Sequence, residues 1–220
     1  MNPEIYRAVK DRILFLEYRP GQILNENVLA KEFGVSRTPM REVLTRLEWE
    51  QLARVIPRTG TMVTEIEFQK MMNAYQARLE IDGLVARLAA ENATAQHLDR
   101  LRDIHERCLL LVDTQNPKDL VRIDFEFRDI LHEAAGNQVL ADIAQTLYDL
   151  TLRLWVIVLD KGGWAGEATS IADEIDRLAT RFEINDGAGA EKIRQDCLMR
   201  HLERIRAKFL GISGPLTTRG

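Results

Sequence analysis

GVSRTPMREVLTRL, residues 34–47, has the pattern of a turn followed by an amphipathic helix. Ser36 is a favourable N-cap residue for this helix. Apolar side chains recur at helical spacing and predict a buried stripe: Met40, Leu44 and Leu47. The opposite face, near the start of the helix, carries Arg37, Thr38 and Arg41. Because that end makes the base contacts when such a helix enters the major groove, the stretch predicts a DNA-recognition helix.

The flanking segments complete the pattern of a winged helix-turn-helix. An amphipathic helix at 6–14 is ended by a Pro-Gly turn at 20–21, and a short helix follows at 25–33. Residues 53–64 hold two β-branched runs around a turn, which predict a hairpin wing. The tip of this wing carries Arg58, Thr59 and Gly60. An arginine-bearing helix alone is more often a solvated surface helix, so the wing is what favours DNA binding.

Several of these motifs resemble the N-terminal domain of GntR-type bacterial transcription regulators over about residues 5–66. The resemblance rests on Pro20-Gly21, Leu29-Ala30, the run from Ser36 to Arg41, and Arg58-Thr59-Gly60. It implies DNA contacts by Ser36, Arg37, Thr38 and Arg41, with Thr59 and Gly60 at a wing tip that enters the minor groove. Some relatives have an arginine in the second helix where this chain has Asn27.

Composition indicates two domains and places limits on the DNA contacts. With 220 residues, of which 45% are hydrophobic, the chain can bury a substantial core. Residues 1–66 hold ten Lys and Arg against nine Asp and Glu, and the remainder holds twenty against twenty-five. A segment so close to neutral cannot rely on a broad basic field. Affinity for DNA is therefore expected to rest on a few placed arginines and on dimerisation.

Targeting and redox features indicate a cytoplasmic protein with no membrane partner. The N-terminus lacks the charged and apolar regions of a signal peptide. The longest apolar run, residues 154–159, is too short to span a bilayer. Cys108 and Cys197 lack metal-site spacing, so we expect free thiols.

Beyond residue 67 the pattern changes to long helices. Breaks rich in Gly, Asn and Pro separate predicted helices near 68–93, 95–112, 117–135, 137–160, 168–184 and 189–210. An antiparallel all-helical bundle is the natural architecture. The fold class is therefore mainly α, a winged helix-turn-helix followed by a helical bundle. We expect a DNA-binding domain at 1–66, a helical effector-binding and dimerisation domain at 67–212, and a flexible tail at 213–220.

Residues 75–90 and 124–137 resemble the FCD effector domain of the FadR branch of GntR regulators. In many relatives this domain binds a divalent metal through one Asp and three His, and a small carboxylic acid completes the coordination. The resemblance places Asp124 and His201 at two of the four ligand positions. It places Arg128 and Ile175 at the other two. A guanidinium cannot coordinate a metal, so the metal site is expected to be degenerate.

The predicted effector-binding residues are Asp124, Arg128, His132, Arg153 and His201. Two roles remain open for Arg128. It either forms a permanent salt bridge with Asp124, one helical turn away, or receives an effector carboxylate by a bidentate hydrogen bond. No cofactor is predicted with certainty. If a divalent metal is bound, its expected ligands are Asp124, His132 and His201.

Other functional classes fit the sequence less well. None of the four His has Glu three residues before it, and no nucleophile elbow, P-loop or dinucleotide fingerprint occurs, so we do not expect an enzyme. A structural interaction protein explains the helices but not the wing. We therefore interpret the chain as a transcription regulator, expected to be a repressor. We expect it to bind a double-stranded, pseudo-palindromic operator as a homodimer and to respond to a small organic acid. The alternative within the family is a regulator whose effector site depends on a metal.

Overall fold

The computed structural model describes residues 2–113, 116–160 and 164–210, which form two compact units. The first unit comprises the chain up to Met72 together with Tyr148–Val156. The second comprises Asn73–Leu147 and the residues from Ile157 onward. The predicted tail at 213–220 lies outside the described residues.

The first unit is a winged helix-turn-helix, as the sequence predicts. Its elements are α1 (Pro3–Leu14), β1 (Ile23–Leu24), α2 (Glu26–Glu32), α3 (Arg37–Trp49), β2 (Ala53–Ile56) and β3 (Gly60–Val63). The three strands form an antiparallel sheet in the order β1-β3-β2, and β2 and β3 are the predicted hairpin. Strand β1 was not predicted, because two residues are too few to show an alternating pattern.

Local sequence explains where the helices of this unit begin. The side chain of Asn2 accepts hydrogen bonds from two backbone N–H groups of α1, and Asn25 does the same for α2. Ser36 does occupy the N-cap position of α3, but its side chain makes no capping hydrogen bond. The predicted stripe of α3 is buried as expected: Met40, Leu44 and Leu47.

Two partly buried polar contacts attach Tyr148–Val156 to the rest of the first unit. Lys10 Nζ lies 2.6 Å from Asp149 Oδ2 and 3.0 Å from Glu50 Oε2. Arg153 donates to the backbone oxygen of Thr64 at 2.7 Å and to its hydroxyl at 3.0 Å. Burial opposes the charge of Lys10, but attraction to Asp149 outweighs it and raises the pKa of Lys10. Burial lowers the pKa of Arg153 to about 10, which still leaves it charged at pH 7. The two cations therefore tie this segment to α1 and to the end of the wing.

The second unit is helical in its described parts, where its helices are α4 (Phe68–Asn92), α5 (Ala95–Leu111), α6 (Pro117–Ala135), α7 (Gln138–Asp160), α8 (Trp164–Glu183) and α9 (Gly187–Leu210). Five of these six helices agree closely with the prediction, and α8 is the exception. Helices α4 and α7 contribute to both units. Helix α8 begins four residues earlier than the predicted start at 168. Neither unit contains, in its described residues, a helix long and apolar enough to cross a membrane.

Two junctions of the second unit follow directly from their residues. Asn116 caps α6, and Pro117 occupies its first turn, where a missing N–H costs nothing. Gly136 ends α6 with φ of 64°, a left-handed conformation that favours glycine. These signals fix α6, which carries three of the predicted effector residues.

Candidate functional site

The winged unit forms a groove of about 480 Å³ between α3, the start of α2 and the wing. Five of the seven predicted DNA-binding residues line it: Arg37, Arg41, Arg58, Thr59 and Gly60. Thr38 lines an adjoining groove that also contains Arg41 and Trp49. Ser36 is exposed at the start of α3. The fold therefore brings the predicted recognition helix and wing tip to one surface.

Two of the three arginines of α3, Arg37 and Arg41, share one carboxylate. Arg41 donates to Glu26 from Nε and Nη2, each at 3.0 Å, and Arg37 donates to Glu26 from Nε at 3.0 Å. The hydrogen bond from Arg41 lowers the pKa of Glu26, so the carboxylate stays ionised. Sequence reasoning missed Glu26, because nothing in its spacing shows that α2 begins beside α3.

Gly60 is required at the wing tip, where β3 begins, for two reasons. Its φ of 139° lies in a region that side chains disfavour. A Cβ at this position would also lie 2.9 Å from the backbone oxygen of Leu24. The neighbouring Arg58 side chain is exposed and makes no ion pair within the described part of the chain. The wing therefore presents an unpaired cation beside the groove.

The helical unit buries a group of charged side chains, which we call the arginine cluster: Arg78, Asp82, Arg128, Glu174 and Arg194. Asp82 is its centre. Its Oδ2 accepts from Arg78 Nη2 at 2.9 Å, from Arg128 Nη2 at 3.2 Å and from Arg194 Nη2 at 3.2 Å. Arg194 also donates to Glu174 at 2.6 Å. Helices α4, α6, α8 and α9 therefore meet at one ionic network.

Electrostatic attraction keeps the centre of this network charged. Burial opposes the charge on Asp82, but the three arginines outweigh it and hold the pKa of Asp82 well below its usual range. The second carboxylate oxygen, Oδ1, is buried without a hydrogen-bond partner among the described residues. A buried acceptor of this kind is a place where a water molecule or a ligand donor gains a hydrogen bond.

Arg128 pairs with Asp82 and not with Asp124, so the first of its two open roles, a salt bridge to Asp124, is wrong. Asp124 is 8% exposed, and its side chain makes no hydrogen bond to any described residue. Its charge nevertheless acts on the arginine cluster, because it contributes to raising the pKa of Arg194. The geometric reason is that the Arg128 guanidinium reaches the side where α4 and α9 lie.

A small cavity adjoins the arginine cluster. It is lined by Asp82, Val85, Arg128, Leu131, His132 and Arg194. Its volume of about 10 Å³ is enough for roughly one water molecule and far too small for an organic acid. Burial first, and the charge of Arg128 second, lower the pKa of His132 to about 4. The imidazole beside the cavity is therefore neutral at pH 7.

The remaining predicted effector residues lie elsewhere. His201 Nδ1 is 3.2 Å from Glu167 Oε2, and Arg204 Nε donates to the same carboxylate at 2.8 Å. Arg153 belongs to the first unit, where it donates a hydrogen bond to the backbone oxygen of Thr64. Of the five predicted residues, Arg128 and His132 share a cavity. Sequence reasoning missed Arg78, Asp82, Glu174 and Arg194, of which the spacing of Arg78 and Asp82 by four was a detectable signal.

The donor set does not fit a divalent metal. Asp124, His132 and His201 are not brought together, and the described ranges contain no group of three His, Cys, Asp or Glu side chains placed to hold an ion. The local charge also disfavours a metal ion, because His132 faces the guanidinium groups of Arg128 and Arg194. A cation beside two fixed cations is strongly disfavoured.

A winged helix-turn-helix with an arginine-lined groove is typical of DNA-binding regulators, and comparison with known proteins gives the family. Residues 2–63 match the bacterial regulatory proteins of the gntR family, and residues 73–204 match the FCD domain. The chain belongs to the GntR family of transcriptional regulators, in its FadR-like branch with a C-terminal FCD domain.

Individual relatives agree with this assignment. The chain is similar to the HTH-type transcriptional regulator YdhC of Bacillus subtilis, with 26% identity over 67% of this chain and 66% of that protein. It is 27% identical to the HTH-type transcriptional repressor RspR of Escherichia coli over 67% of this chain and 64% of RspR. The alignments thus span slightly less than two thirds of both relatives. Escherichia coli McbR/YncC shares the fold, with a TM-score of 0.81, 19% identity and coverage of 94% and 97% of the two chains.

Acidification is expected to destabilise the protein through His132. Its folded pKa of about 4 lies below the value of about 6.5 for an unfolded chain, so the unfolded state takes up the proton first. The free energy of unfolding should therefore fall as the pH falls from about 6.5 to 4, by up to about 1.4 kcal/mol per unit. Urea titrations of the protein and of His132→Gln at pH 7.5, 6 and 5 measure this. Equal pH slopes in the two proteins would contradict it.

Proposed function

We propose that this regulator is an effector-controlled repressor, which acts as a homodimer on a pseudo-palindromic operator in the cytoplasm. Residues 1–66 are assigned to DNA binding, and residues 67–212 to effector binding and dimerisation. The observation that carries the DNA-binding part is the groove, which collects Arg37, Arg41 and Arg58 on one surface. One relative, RspR, is named a transcriptional repressor, which supports repression over activation.

We assign different tasks to the two sides of the groove. Arg37 and Arg41, near the start of α3, are suited to bidentate contacts with guanine in the major groove. Ser36 and Thr38 have exposed hydroxyl groups that suit phosphate oxygens. Arg58, Thr59 and Gly60 form the wing tip, where an unpaired arginine suits the negative potential of a narrow minor groove.

Dimerisation follows from the small charge of a single winged unit. One unit with almost no net charge neutralises few phosphates, so its affinity and specificity are modest. Two copies related by a two-fold axis double the contact and require an operator with matching two-fold symmetry. The homodimer is thus part of the proposal, together with the half-site symmetry of the operator.

For the effector we propose a small organic acid that binds beside the arginine cluster. Arg128 and Arg194 offer guanidinium groups, and neutral His132 offers an imidazole at the edge of the same cavity. A carboxylate suits these donors because guanidinium binds it with paired hydrogen bonds. Since the cavity holds only about one water molecule, effector binding must enlarge it. A ligand that binds an opened state selectively shifts the population of conformations and thereby alters DNA binding.

The proposal is tested by titrating the operator complex with small carboxylic acids while its fluorescence anisotropy is recorded. We expect at least one acid to weaken operator binding by tenfold or more, equally well before and after chelator treatment. Arg128→Met should abolish that response while leaving operator affinity without the acid unchanged. Loss of the response after chelation, or stoichiometric tightly bound metal in the purified protein, would support the metal-dependent alternative instead.

A further inference from the structure

Glu26 occupies an unusual position for an acidic residue on a DNA-binding surface. It is the first residue of α2, and its carboxylate lies between the two arginines proposed to contact bases. Only 22% of its side chain is exposed, whereas Arg37 and Arg41 are 64% and 62% exposed. All three residues line the same groove. The surface that is expected to meet phosphates and bases therefore contains a fixed negative charge.

The geometry of the Arg41 contact shows what this charge does. A guanidinium has five N–H groups. Glu26 accepts from Nε and from Nη2, which uses the side edge of the Arg41 guanidinium. The end of the group retains one N–H on Nη2 and two on Nη1. This end is the pair of nitrogens that can bind guanine O6 and N7. Arg37 is held by Nε alone, so both of its terminal nitrogens are also left for a ligand.

We propose that Glu26 is a positioning residue for operator recognition, which holds Arg37 and Arg41 by their Nε edges and leaves their terminal nitrogens for bases. This inference rests on the proposed base contacts of the two arginines. Glu26 acts in two ways. It orders two long side chains before DNA arrives, which removes part of the entropy loss on binding. It also neutralises part of their charge, which weakens sequence-independent attraction to phosphates.

These two effects have opposite consequences when the charge is removed. In Glu26→Gln the arginines are no longer fixed, so operator affinity should fall about threefold to tenfold. Their charge is no longer balanced, so affinity for unrelated duplex DNA should rise about twofold to threefold. The slope of the logarithm of affinity against the logarithm of salt concentration should become steeper by about one, because one more counterion is released from the DNA. The ratio of operator affinity to affinity for unrelated DNA should therefore fall by about sixfold to thirtyfold.

Glu26→Asp separates position from charge. Aspartate keeps the negative charge and remains favourable in the first turn of a helix, but it is one methylene shorter. It cannot hold both arginines as Glu26 does. We expect weaker operator binding with unchanged affinity for unrelated DNA.

The experiment measures the affinity of the full-length protein for a selected operator and a scrambled duplex at several salt concentrations. Glu32→Gln is the matched control, because it makes the same charge change on α2 and removes an ion pair with Arg12, which does not line the groove. Thermal midpoints verify that each variant is folded. If Glu26→Gln unfolds, the Glu26→Asp result decides the question.

Three outcomes would overturn the inference. One is an unchanged affinity ratio in Glu26→Gln while Arg41→Ala still loses operator affinity, which leaves the proposed function intact. Another is an altered base preference at one operator position without a change in salt dependence, which indicates direct base contact by Glu26. The third is retained operator affinity in both Arg37→Ala and Arg41→Ala, which refutes the proposed recognition contacts themselves.

Discussion

Asp82→Asn should lower the free energy of unfolding of the helical unit by about 3–5 kcal/mol, the range found when one partner of a buried ion pair is removed. Asp82 is 3% exposed, and its Oδ2 accepts hydrogen bonds from Arg78, Arg128 and Arg194. Asparagine fills the same volume but removes the charge that these guanidinium groups share. The thermal midpoint should fall by roughly 10 °C.

The loss is large because the remaining carboxylates cannot replace Asp82. Among the described residues, Glu174 forms its ion pair with Arg194, and the side chain of Asp124 makes no hydrogen bond. The variant therefore leaves a buried excess of positive charge.

The low pKa of Asp82 also determines how its contribution to the free energy of unfolding depends on pH. Because the folded pKa lies below the unfolded value, this stabilisation is present at neutral pH and disappears only in strong acid.

Urea unfolding followed by circular dichroism measures this loss. Asp99→Asn serves as the control, since it also removes one negative charge from a pair with arginine, but its side chain is 75% exposed. The control should keep the midpoint of the parent protein. If Asp82→Asn is as stable as Asp99→Asn, the ion pairs of Asp82 do not stabilise the helical unit.

Arg37→Ala and Arg41→Ala should each weaken operator binding by about 1–3 kcal/mol, or roughly 5-fold to 150-fold. Both side chains are exposed, and among the described residues each forms an ion pair with Glu26 alone, so the winged unit does not need them to fold. If each arginine reads a guanine, the loss should be largest for the parent operator and smaller for a duplex with that base pair changed. Affinity for scrambled DNA should change much less.

A change of charge alone is excluded by a matched variant. Arg7→Ala removes one positive charge from an exposed position of α1 that does not line the groove. Its effect on operator affinity should be small and should vanish at high salt. Fluorescence anisotropy titrations of the three variants against the same operator give the comparison. Equal affinities for Arg7→Ala, Arg37→Ala and Arg41→Ala would remove α3 from the recognition role.

The sequence alone determined the winged helix-turn-helix and most helix boundaries, because these depend on signals close together in the chain. The apolar stripe of α3 needs only the 3.6-residue period of a helix. The hairpin needs only two β-branched runs around a turn with Gly60. Asn116, Pro117 and Gly136 specify the two ends of α6 by local hydrogen bonding and backbone freedom. Such features can be predicted from sequence without knowing which residues pack against them.

Only the tertiary structure decided which charged groups meet. Spacing by one helical turn allowed a pair between Asp124 and Arg128, but the guanidinium instead binds Asp82, which is 46 residues away in sequence. Glu26 reaches α3 across the turn between two helices, and Arg153 binds Thr64 from 89 positions further along the chain. An ion pair forms where packing buries a charge and leaves it without water, because an unpaired buried charge is strongly disfavoured. That condition depends on how helices from distant parts of the chain meet, which local spacing does not contain.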